Sequence, residues 1–163
     1  MPAPKKAHDE MVTRAHNRIK AIFNVIEIKK EASLTSKLSR NLTMGEERVD
    51  LLLHISYQGN IYALPVEIET QEGNMFQIEK NIGKCVEAFG GVLIIPRSSM
   101  VDAIKKTLKH IPVAHSRRTI IISYALLQNK SYASDLIIKE AIGQLLILCI
   151  KPVKQKDVGI NIN

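Results

Sequence analysis

Aromatic side chains are scarce in this sequence, and tryptophan is absent: four Tyr and three Phe make up 4% of the chain. Proteins that hold single-stranded nucleic acid stack its bases on aromatic platforms, so that mode of binding is disfavoured. Cysteine is almost missing too. Cys85 and Cys149 each sit within an apolar pattern, which reads as two buried thiols rather than a disulfide or a metal pair. No apolar run approaches the roughly 20 residues that a membrane span requires. Residues 1–6 lack the apolar core of a secretory signal, and a cytoplasmic protein is expected. There is no internal repeat, no helix-turn-helix signature and no glycine-rich phosphate loop. The five histidines show no metal-ligand spacing.

What is present is the composition of an ordinary globular protein, 45% hydrophobic and 24% charged over 163 residues, enough for one domain with a substantial core. Residues 1–6 read as a disordered leader, 7–150 as the domain, and 151–163 as a basic, frayed tail. The net charge of +7 favours a polyanionic partner. With stacking disfavoured, backbone contacts to a duplex or a junction are the expected mode if that partner is nucleic acid.

Along the chain, apolar residues recur at helical spacing from Ala7 to Ala21, and residues 23–28 alternate as a short strand would. A polar stretch, 29–44, carries Lys29 and Lys30. A hairpin follows, with Val49, Leu51, Leu53 and Ile55 on one face and a turn at Gln58-Gly59-Asn60. Asn74 and Gln77 have the spacing of a capping box for a helix to about Phe89, which carries a polar stripe of Gln77, Lys80, Asn81 and Lys84. Gly90-Gly91 ends that helix, and 92–95 reads as a fully buried strand. A helix capped by Ser99 and Asp102, a strand over 119–123 and an apolar helix from Ser134 complete the order. That last helix, 136–148, is either core or a dimer interface. The fold class expected is α/β, a mixed central β-sheet flanked by helices.

Three carboxylates punctuate the hairpin. Asp50 opens its first strand, and Glu67 and Glu69 end its second on one face, since strand side chains alternate. Like charges gathered so closely are costly without a cation, and hard oxygen ligands suit Mg²⁺ or Mn²⁺.

This segment (Arg48-Val-Asp50, hairpin, Val-Glu67-Ile-Glu69, helix, apolar strand) resembles the PD-(D/E)xK nuclease superfamily. That is the restriction endonuclease-like fold, shared by archaeal Holliday junction resolvases. The resemblance covers about fifty residues. It implies a metal-dependent endodeoxyribonuclease, of junction-resolving or restriction and mobile-element type, acting on duplex or branched DNA and working as a homodimer. By position, Asp50 and Glu67 are its metal ligands, and Glu10 matches a helical carboxylate that many members add. The third position, Lys in most members, is Glu69 here, as in some restriction enzymes. Glu69 or Lys80 would then orient the attacking water. Gln77 and Lys84 would touch the phosphate backbone, and Lys29, Lys30, Arg97, Arg117 and Arg118 would grip flanking phosphates. The alternative is a nuclease fold that has lost its chemistry and only binds DNA or protein. A third reading is an α/β subunit unrelated to nucleic acid.

Overall fold

Residue pairs across the hairpin set the frame of the molecule. The computed structural model describes residues 4–26, 49–70 and 75–154. Lys29, Lys30, Asn74, the 29–44 stretch and residues 155–163 lie outside them. β2 (Leu51–Tyr57) and β3 (Asn60–Glu69) pair antiparallel from Leu51↔Val66 to Tyr57↔Asn60. Gln58 and Gly59 join them with φ of 48° and 84°. Two successive positive φ values match the right-handed strand twist and close the ribbon in two residues.

β1 (Asn24–Ile26) adds antiparallel to β2, while β4 (Val92–Pro96) and β5 (Thr119–Ile121) add in parallel beyond β3. The sheet order is therefore β1-β2-β3-β4-β5, with β6 (Pro152–Val153) pairing with Ile61 and Tyr62 of β3. This is an open, mixed six-stranded sheet among the described residues. The tail read as frayed thus contributes a strand. Pro65 falls between the stretches of β3 that pair with β4 and with β6. The Ile68 amide points towards β2; strand amides alternate sides, so Pro65 would have pointed into that gap, where a missing N–H costs little.

Every residue of β4 is buried, so helices cover both faces of the sheet. α1 (Pro4–Ile22) and the long α6 (Tyr132–Leu148) take one face. Tyr57 marks that face, with its ring edge-on to Phe23 and its hydroxyl against Gly143. The crossover helices α2 (Met75–Phe89) and α3 (Val101–Leu108) take the other, along with the short α4 (Val113–Ser116). α2 buries Ile78, Ile82, Cys85 and Phe89, one stripe at helical spacing. It ends at Gly90, whose φ is 98° and whose missing Cβ would lie 2.2 Å from the Cys149 carbonyl oxygen. Cys85 and Cys149 are both free thiols; Cys85 is buried as expected, but Cys149, at the end of the last helix, is only half-buried.

Three local expectations change. α1 starts at Pro4 rather than Ala7. Ser99 does not cap α3: a 3₁₀ turn over Ser98–Met100 leads into it and buries Met100. The predicted strand 119–123 stops at Ile121, because Ser123 caps α5 (Tyr124–Gln128) by accepting the Leu126 amide at 3.2 Å. Among the described residues, no helix is long and apolar enough to cross a membrane.

His54 lies within the sheet, 4% exposed, and its Nε2 finds no hydrogen-bond partner among the described residues. Burial lowers its pKa from 6.5 to about 4. The unfolded chain therefore binds the extra proton between those values. This side chain's contribution to stability is full above pH 6.5 and falls, by of order 3 kcal/mol, as pH drops to 4. In urea titrations, His54→Leu should lack that component and be no less stable than wild type at pH 7, since it removes an unpaired polar atom. Parallel stability curves for the two proteins would contradict this.

Candidate functional site at the sheet edge

β3, β4 and β5 are parallel, so their carboxyl ends share one edge of the sheet. The antiparallel β2 begins at the same edge. Asp50 lies at a bend one residue before β2, beyond the paired register, so its contacts and not the ladder fix its place. Glu67 and Glu69 share the face under α2, because strand side chains alternate. In open α/β sheets, ligands bind outside the carboxyl ends of the strands, which is this edge.

Asp50 is tied down at both oxygens. Oδ2 accepts the Ile68 amide at 2.8 Å, and Oδ1 lies 3.1 Å from His8 Nε2 on α1. Glu67 is 6% exposed, paired in register with Ile94. Glu69 is half-buried at the last position of β3, and its carbonyl accepts the Arg97 amide at 2.9 Å. Burial pushes the Glu69 carboxyl up to about 7, the negative charge of Asp50 adds to the rise, and His8 opposes it. Two carboxylates thus sit close enough to repel each other in a partly desolvated place.

The sequence singled out Glu10 as the carboxylate that α1 adds. It is exposed, and two residues beyond His8 it lies about 200° around the helix, so His8 is the residue of α1 that reaches Asp50. His8 had no spacing signal. Lys80 is exposed, diametrically opposite the buried stripe of α2, and does not serve the strand end as a stand-in for the motif lysine. Gln77 bonds Asn81 at 3.0 Å on the flank of α2, and Lys84 is half-buried on the same flank. Arg97 belongs to the carboxylate edge. Arg117 and Arg118 do not: they precede β5 at the opposite edge, and Arg118 donates to the carbonyls of Gly90 and Cys149 at 3.3 and 3.4 Å.

Among the described residues, no three His, Cys, Asp or Glu side chains converge as a ready-made metal cage. Mg²⁺ does not require one, because it keeps several waters and takes only one or two carboxylates from the protein. Asp50 and Glu67, the ligands that the resemblance implies, would make up that smaller donor set. The three-ligand cage expected from the sequence is not what these residues form.

Sequence reading also missed a basic pocket of about 470 Å³ between α1, α5 and the start of α6, lined by Arg14, Asn17, Tyr124, Gln128 and Lys130. Below them the buried Arg18 pairs with Asp135 and donates to the Leu127 carbonyl at 3.0 Å. With Arg18 and Asp135 neutralising each other, Arg14 and Lys130 leave the pocket suited to an anion.

No protein-family model matches the chain, and neither a search of curated proteins nor one of solved structures returned a match.

The raised Glu69 pKa, due first to burial and then to Asp50, has a measurable consequence. Glu69 binds its proton more tightly folded than unfolded, so its contribution to stability is lost as pH rises from about 4.5 to 7. In EDTA, Glu69→Gln should gain on wild type across that interval and by most at pH 8. A difference that does not change with pH would remove the basis for the repelling pair.

Proposed function

We propose that the protein is a divalent-metal-dependent endodeoxyribonuclease with a restriction endonuclease-like core. The observation that carries this is the pair of carboxylates Glu67 and Glu69 on one face at the end of β3, with Asp50 close enough to Glu69 for its charge to be felt there. Support also comes from the order of elements around them. A hairpin, a crossover helix and a buried parallel strand after it are the order that the PD-(D/E)xK resemblance implies.

Asp50 and Glu67 would hold the cation, Mg²⁺ or Mn²⁺. When bound, it supplies polarisation of the scissile phosphate and a more acidic water. The protein's own part is positional. The Ile68 amide and His8 fix the Asp50 carboxylate, leaving little freedom at the ligand. Glu69, in the place of the usual lysine, is half-buried beside Asp50 and, when ionised, is suited to take the proton of the attacking water at its carboxylate. Arg97 adds a cation at the same edge, and Arg14 and Lys130 add two at the pocket, for flanking phosphates.

The test is an assay of purified protein with linear duplex, supercoiled plasmid, single strand and four-way junction, with and without Mn²⁺ or Mg²⁺. Cleavage should require metal. Asp50→Ala and Glu67→Ala should lower it by more than the roughly 10–100-fold that loss of a merely supporting group costs. Salt-dependent DNA binding with no cutting in either metal would favour the inactive binding module. No DNA binding at all would leave the α/β subunit reading.

A further inference from the structure

α6 is apolar on both sides, which a helix covering one face of a sheet does not need. Ile138, Ile142, Leu145 and Leu146 face the core. On the opposite side Leu136 is 49% exposed, Ile137 53%, Ile147 48% and Leu148 75%, and Glu140 and Gln144 are exposed between the two pairs. Helical geometry places these six side chains within an arc of about 120°, with the two apolar pairs three turns, about 16 Å, apart.

The order of these residues reads alike in both directions. Outward from the level of Ile142, the exposed face presents Gln144 one way and Glu140 the other. Next come Ile147 and Ile137, then Leu148 and Leu136. The angular positions are mirrored as well, because this face lies opposite Ile142 on the helix. A two-fold axis through the face at that level would set Ile137 against Ile147 of a second copy. It would also set Leu136 beside Ile147, Leu148 beside Ile137, and the Glu140 carboxylate against the Gln144 amide. Isologous contact needs such self-complementarity, and a foreign partner does not.

We infer that the outer face of α6 binds a second copy of this chain, antiparallel, about a two-fold axis at the level of Ile142. The inference does not depend on the nuclease reading and stands whether or not the protein cuts DNA. One helix pair buries less than the roughly 1,200 Å² of a standard interface, so the dimer dissociates on dilution.

Sedimentation velocity over a concentration series should show a monomer–dimer equilibrium, and Ile137→Asp, an exposed position whose change leaves the core intact, should shift it to monomer. Register is tested in a Cys149→Ser background with a short thiol cross-linker. A mixture of Ile137→Cys and Ile147→Cys proteins should cross-link to each other in preference to either variant alone. Circular dichroism matching wild type confirms that each variant is folded. A wild-type monomer at every concentration, a dimer that survives Ile137→Asp, or same-variant cross-links as abundant as mixed ones would each overturn the inference.

Discussion

The hydrogen bond from the Ile68 amide to Asp50 Oδ2 decides what the carboxylate edge can do. It extends the β2–β3 ladder by one step using a side chain, so Asp50 is held inward instead of swinging into solvent. Held there, it stands close enough to Glu69 for its charge to be felt. A carboxylate free to move would relieve that repulsion. This one cannot without giving up a charge-assisted bond to the backbone. Burial is the larger cause of the raised Glu69 pKa, the repulsion adds to it and His8 opposes it. A cation at the edge would relieve the repulsion, which is the basis of the proposed chemistry.

Two buried titrating groups on the same face of the sheet pull stability in opposite directions. His54 favours folding at higher pH, through the interval from about 4 to 6.5, and Glu69 favours it at lower pH, from about 4.5 to 7. Over the shared interval the two slopes oppose, so wild-type stability varies less with pH than either group alone would make it. A cation at Asp50 would lower the Glu69 pKa and leave His54 alone on the profile.

Much of the frame was legible because its signals are local. Gln58-Gly59 announced the hairpin turn, the apolar run before Pro96 announced β4, and the spacing of Ile78, Ile82, Cys85 and Phe89 announced the buried side of α2. The strand positions of Glu67 and Glu69 followed from a period of two; Asp50, expected to open β2, instead lies at a bend one residue before it. What failed depends on rotation and distance. Glu10 and His8 differ by two residues in sequence and by more than half a turn in space, and only docking of α1 against the hairpin selects His8. Arg117-Arg118 and Arg97 look alike as basic residues flanking strands, yet strand direction sends them to opposite edges. α5 is five residues long, too short for a periodic signal, and shows itself only through the Ser123 cap. The alternatives for the last helix, core or interface, were both kept open by an apolar pattern that runs all the way round. Exposure at Leu136, Ile137, Ile147 and Leu148 separates the two sides.

The most direct measurement of the central claim is the titration of the Glu69 side-chain carboxyl by carbon-detected NMR, with and without Mg²⁺. The account predicts a midpoint near 7 in metal-free protein and a fall to the ordinary carboxylate range when Mg²⁺ is added. A midpoint near 7 that does not move with saturating Mg²⁺ or Mn²⁺, or one already ordinary in its absence, would contradict it.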